Sequence, residues 1–121
     1  MVLDGLLLLR EVDKQHRLTR RLAAVLHDPR APEQVRHKLD TLVRQRVFGV
    51  AAGYEDFNDH EALRYDQALQ TALGEEDTLA GKSTLCRVEQ NADRQAIVKA
   101  HELLWHHFIE QHDAPPKEIV L

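Results

Sequence analysis

With 121 residues, of which 43% are apolar, 30% charged and only 5% aromatic, the chain has room for one domain whose core must be filled by Leu, Val and Ala. Its formal net charge of −4 excludes a globally basic field of the kind that announces a nucleic-acid partner. The single cysteine, Cys86, excludes an internal disulfide and points to a reducing, cytoplasmic setting.

The longest early apolar run, Leu6 to Leu9, is too short for a leader peptide and follows Asp4 where positive charge would be expected. Nothing approaches the roughly 20 apolar residues of a membrane span, so no membrane partner is expected. The charge is unevenly placed. Residues 1–50 hold ten Lys/Arg and six Asp/Glu, whereas residues 51–121 hold six and fourteen. The first half suits phosphates and the second repels them. Two solvated faces of opposite sign are the simpler alternative.

In chain order the sequence predicts helix after helix. Leu6, Leu9 and Val12, with Leu8 alongside, give an amphipathic helix over about 5–16. Thr19 is placed to cap a short second helix carrying Leu22, Val25 and Leu26. His27 to Pro32 is a break marked by two prolines. A third helix is expected near 33–52, with Val35, Leu39, Leu42, Val43, Val47 and Val50 on one face. Arg46 projects into that stripe, and Gly49 and Gly53 each cost about 1 kcal/mol in a helix interior relative to Ala. Both features make sense if another segment packs closely there and brings a carboxylate. Glu55, Asp56 and Asp59 are candidates, and the pair Arg46–Asp56 is the expected one. Asn58 or Asp59 starts a short helix through Leu63, and Asp66 caps another through Leu73. Gly74 to Lys82 reads as a polar loop, and Ser83 caps a helix with Leu85 and Val88. A last long helix near 94–112 carries Ile97, Leu104, Trp105, Phe108 and Ile109 on one side, and Pro115 and Pro116 end it. Ile119 to Leu121 reads as a short strand with no partner. The expected fold is thus all-α, a small multi-helix bundle over 1–114 with an orphan strand within 115–121.

The catalytic motifs do not survive inspection. Ala80 to Thr84 (A-G-K-S-T) hints at a phosphate-binding loop, but Glu76 stands where its first glycine belongs. His101 to His106 (H-E-L-L-W-H) misses the four-residue histidine spacing of a zinc helix, because Trp105 occupies that position. His101 reads instead as a hydrogen-bonded core histidine, and His106, His107 and His112 as surface. The carboxylates Glu55, Asp56, Asp59, Glu61 and Asp66 are dense enough for two-metal chemistry. With no distant partner ligand identifiable, they read as an acidic inter-helix segment in which Asp59 and Asp66 serve helix starts. The basic residues Arg17, Arg20, Arg21, Arg30, Arg36, Lys38 and Arg44 are the most useful functional signal, since a DNA reader needs such a surface to neutralise phosphates.

Several strings together resemble one family. Asp4 to Asp13 (D-G-L-L-L-L-R-E-V-D), Arg44 to Asp66 (R-Q-R-V-F-G-V-A-A-G-Y-E-D-F-N-D-H-E-A-L-R-Y-D), Ser83 to Glu89 (S-T-L-C-R-V-E) and Pro115 to Leu121 (P-P-K-E-I-V-L) are similar, in that order, to the N-terminal region of group-1 DDE transposases of bacterial insertion sequences. The resemblance implies DNA transposition by a ribonuclease H-like domain whose three carboxylates hold two divalent ions, Mg in the family. It also implies that the first catalytic aspartate follows a strand like Lys117 to Leu121, so residues 115–121 would open a catalytic domain that lies beyond the chain. No acidic residue present matches a catalytic position, and no catalytic residue or cofactor is assigned.

The expectation is therefore a helical fragment of a transposase that binds the ends of an insertion sequence or assembles the enzyme, without catalysis of its own. Arg20, Arg21, Arg36 and Arg44 are the expected DNA contacts. The alternatives are a helical module that forms a homodimer, or a remnant without function.

Overall fold

The computed structural model describes residues 3–30, 33, 35–75 and 78–111. Among them the chain forms α1 (Leu3–His16), α2 (Leu18–Ala24), α3 (Leu39–Ala51), α4 (Asp59–Leu63), α5 (Gln67–Leu73), α6 (Lys82–Gln90) and α7 (Arg94–Glu110). No strand occurs among the described residues, and the one expected at Ile119 to Leu121 lies outside them. The all-α class holds.

Several ends follow local chemistry. Asp66 and Asp93 cap α5 and α7 by accepting the amides of Leu69 at 2.9 Å and Ala96 at 2.8 Å. Beyond α3, Gly53 at φ 99° lets its own amide reach the Val50 carbonyl and the Tyr54 amide reach that of Gly49, both at 2.9 Å. This double closure needs a left-handed residue just past the helix, so Gly53 is a terminator and not an interior glycine. Other ends depart from expectation. α3 begins at Leu39 rather than near 33, which puts Asp40 in the first turn, where a carboxylate favours the helix N-terminus. α4 does run from Asp59 to Leu63 behind Asn58 as expected, although the Asn58 side chain makes no capping hydrogen bond. α6 begins two residues early: Gly81 stands at its N-cap, and Glu61 accepts the Lys82 amide at 2.7 Å, so Ser83 is not the cap.

α3 is the hub, packed against α2, α5 and α6. One core joins Leu6 of α1, Phe48 of α3 and Leu69, Ala72 and Leu73 of α5 with Leu63 and Leu79. A second joins Leu42, Ala80 and Leu85. The face of α3 that enters the interior is rotated from the expected stripe. Leu42, Val43, Gln45, Phe48 and Gly49 are buried, while Val47 and Val50 are exposed. α7 touches α2 alone among its substantial contacts. Its expected core face, Ile97, Leu104, Trp105, Phe108 and Ile109, is therefore exposed, and only Ala96 is buried.

Polar side chains of α3 organise the middle. Gln45 is almost fully buried, donating from Nε2 to the Ala80 carbonyl at 2.8 Å and accepting the Ala80 amide on Oε1 at 3.1 Å. This double bond holds Leu79 and Ala80 in the interior, so the segment read as a polar loop has an apolar buried centre. Arg46 donates to the carbonyls of Glu55 at 2.6 Å and Tyr54 at 3.4 Å, lies 4.0 Å over the Phe57 ring and pairs with Glu89 at 3.0 Å. Its carboxylate partner is thus Glu89 and not Asp56, which instead accepts the Asn58 amide at 2.8 Å. Asp56 has its acceptor directed to its own turn, and α6 supplies the carboxylate that reaches across.

The close approach foreseen at Gly49 is made by His60, a buried residue that the periodicity did not single out. A Cβ on Gly49 would stand 2.9 Å from the ring carbon Cε1, so only glycine admits the imidazole there. The ring lies between two donors, Gln45 Nε2 at 3.4 Å from Nδ1 and Arg46 Nη1 at 3.4 Å from Nε2. Burial first, then the Arg46 cation, hold the His60 pKa below the ordinary histidine value.

Two expectations follow. Arg46→Met should lower stability in urea denaturation by about 1–3 kcal/mol, because two backbone carbonyls lose their donor. Glu89→Gln should lower it by less than about 1 kcal/mol, since that carboxylate is half exposed and screened. The reverse order would make the ion pair the operative contact. The depressed His60 also fixes a pH dependence. Between the ordinary histidine pKa and its lower folded value, the unfolded chain binds a proton that the folded chain does not. Stability should therefore fall as pH drops through that window and level off below the folded pKa. Chemical denaturation at successive pH values should show the slope flattened in His60→Gln, leaving the part due to His37, whose pKa is depressed by burial and by Arg36.

Candidate nucleic-acid interface

The corner between α1 and α2 is built on Asp13. Arg17 turns the chain there in a left-handed conformation, φ 56°, with its amide 2.6 Å from the Asp13 carbonyl. The buried Asp13 carboxylate accepts the Thr19 amide at 2.9 Å and the Thr19 hydroxyl at 2.6 Å. Asp13 thus caps α2 from one turn before it, and Thr19, expected as the cap, is the residue being capped. Arg44 of α3 closes the corner, with Nε 3.4 Å from Asp13 and 3.3 Å from the Thr19 hydroxyl, and Nη2 3.9 Å from Asp40.

Around this corner opens a cleft of about 270 Å³ whose wall is crowded with cations: Arg10 and Lys14 of α1, Arg17 at the bend, Arg20 of α2 and Arg44 of α3. The end of α5, Ala72 to Gly74, forms the other side. Asp13 is the one carboxylate among the described lining residues, and it is committed to Thr19 and Arg44. Arg10 reaches the Thr71 carbonyl at 3.4 Å, and Lys14 makes only a loose, exposed pair with Glu11 at 3.7 Å. Arg17 and Arg20 are exposed and carry no side-chain partner among the described residues.

The four arginines singled out from sequence do not form one surface. Arg20 and Arg44 meet in this cleft, but Arg44 is held by Asp13 and Asp40. Arg21 lies elsewhere on α2, within 3.5 Å of His107 Nδ1 of α7. Arg36, ahead of α3, donates to the Thr78 hydroxyl at 3.0 Å and lines a different cavity. Arg10 and Lys14 were missed. Their four-residue spacing on the first helix is the signal that would have placed the two on one polar stripe, which Arg17 joins only through the bend that follows.

The other motifs resolve into structure. His101 is exposed rather than core, and its Nδ1 lies 2.8 Å from the Ile97 carbonyl. The acidic segment does not converge: Asp56 serves Asn58, Glu61 serves Lys82 and Asp66 serves Leu69. No group of three or more His, Cys, Asp or Glu side chains among the described residues is placed to hold a metal ion, so a two-ion carboxylate site does not fit them. No helix among the described residues is long and apolar enough to cross a membrane.

The family model for transposase DDE domain group 1 matches residues 3–121. The chain belongs to that family. No curated protein and no solved structure matches it. Transposases in general act on DNA.

Because the cleft hangs on one carboxylate, Asp13→Ala should cost about 2–3 kcal/mol in urea denaturation, combining a lost helix cap with an Arg44 left without its main partner. Asp40→Ala, at the looser contact, should cost less than about 1 kcal/mol. Equal losses would show that Asp13 holds no special place.

Proposed function

We propose that this transposase-family chain works in transposition by holding DNA, not by cutting it. The phosphate backbone at the ends of an insertion sequence would bind across the α1–α2 corner, inside a cytoplasmic complex. The observation that carries this reading is the pair of exposed guanidinium groups of Arg17 and Arg20, without a partner among the described residues and flanked by Lys14 and Arg10 on one cleft. Phosphates are met by such mobile surface cations, and a small positive patch suffices where the overall charge is negative. The turning of the acidic segment toward backbone amides supports a role without its own metal chemistry.

Fluorescence anisotropy with a duplex carrying the element end tests the proposal. With three or four phosphates engaged, the logarithm of affinity should fall with the logarithm of salt at a slope of about −3 to −4. Arg17→Gln with Arg20→Gln should weaken binding on the order of tenfold and reduce that slope by about 2. Affinity indifferent to salt, or unchanged in the double variant, would remove this cleft from DNA binding.

The exposed apolar stripe of Ile97, Leu104, Trp105 and Ile109 on α7 favours a second reading, assembly of a homodimer. In sedimentation, a dimer lost in Leu104→Glu with DNA affinity unchanged would make assembly the work of α7.

A further inference from the structure

A second cavity, of about 380 Å³, lies between the segment leading into α3, the end of α4 and the face of α6. It shares no residue with the α1–α2 cleft. Arg36, Arg64, Thr84 and Arg87 line it, drawn from distant parts of the chain. Asp28 is the one carboxylate among the described lining residues, and its two oxygens are closed on Arg30 at 2.8 Å each, so this pair contributes little net field.

The arginines that remain are unevenly satisfied. Arg36 is already engaged with Thr78. Arg64 lies over the Tyr65 ring at 5.5 Å, but its Nε is buried and has no hydrogen-bond partner among the described residues. A buried guanidinium N–H without an acceptor is rare in a folded protein and calls for an anion or water. Arg87 is exposed and its side chain has no partner among the described residues. Gly81 keeps the approach open, since a Cβ there would stand 3.3 Å from Arg64 Nη1 and 2.8 Å from Glu61 Oε1. That Glu61 oxygen accepts the Lys82 amide and is not paired with Arg64. The depressed pKa of His37, which lines the same cavity, has burial as its first cause and Arg36, Arg30 and Arg64 as its cationic contributors.

We propose that this cavity binds a phosphate-class oxyanion, with Arg64 and Arg87 as its cationic donors and the Thr84 hydroxyl as a neutral one. Forked guanidinium groups match the oxygens of a phosphate, and a hydroxyl completes the donor set. The ligand is either inorganic phosphate or the terminal phosphomonoester of a nucleic-acid strand, which present the same dianion. The site does not depend on DNA being held at the α1–α2 corner.

Isothermal titration of the whole chain at constant ionic strength tests this, with inorganic phosphate in one arm and a short strand bearing either a 5′-phosphate or a 5′-hydroxyl in the other. Binding of inorganic phosphate supports the site and names the free anion. Preference for the phosphorylated strand without binding of inorganic phosphate supports it and names the strand terminus. In either case Arg87→Gln and Arg64→Met should weaken binding about tenfold. Arg87 is exposed, so its variant keeps the fold if Arg64→Met does not. Absence of binding in both arms, or binding equal in wild type and Arg87→Gln, overturns the proposal.

Discussion

Two consecutive side chains of α3, Gln45 and Arg46, satisfy backbone groups that no helix or sheet ladder reaches. Gln45 pairs with both the amide and the carbonyl of Ala80, and Arg46 takes the carbonyls of Tyr54 and Glu55. Irregular segments are ordinarily kept at the surface because their polar groups need water. Here the two side chains stand in for water, so 54–55 and 79–80 pack against α3. Once those segments are fixed, His60 is pressed onto Gly49, Leu79 joins the first core and Ala80 the second. The bundle is therefore organised around a polar seam in the middle of its central helix, with the apolar clusters on its sides.

The same device recurs at the α1–α2 corner. Asp13 replaces the missing partner of the Thr19 amide and holds Arg44 from the neighbouring helix. One carboxylate thereby sorts the arginines into two kinds. Arg44 is structural, and Arg17 and Arg20 are left with their charge directed to solvent. The surface proposed to meet DNA is what this sorting leaves. Cations that find a partner in the fold cease to be available, and those displaced by the tight bend remain to meet an anion. A cleft of this kind requires no basic protein as a whole, so the net charge of −4 is compatible with the proposed DNA contact.

Much of the helical plan was legible in the residues, for identifiable reasons. Asp66 announces the start of α5 because a cap acts within three residues of its carboxylate, whereas the like cap of α7 by Asp93 was not singled out from the residues. The first helix and α4 were visible from periodicity and from the Asn58–Asp59 start. α3 was visible but wrongly faced, because a helix packed on three sides has no single stripe for a 3.6-residue period to find. α7 misled in the opposite sense: its apolar residues keep a regular spacing, yet too little of the chain packs against them to bury that face.

The sequence by itself determined the helical class, the family, the Asp66 cap and the concentration of cations in the first half. Each of these is a local pattern or a sum over residues, and neither depends on which segments meet. Tertiary structure decided that Arg46 meets Glu89, 43 residues away, and that Gln45 meets Ala80, 35 residues away. It also decided that Arg44 is held while Arg17 and Arg20 stay open. Those outcomes turn on competition among several acceptors within reach of one donor. Nearness along the chain favoured Asp56, but the packing of α6 on α3 put Glu89 where Arg46 could reach it.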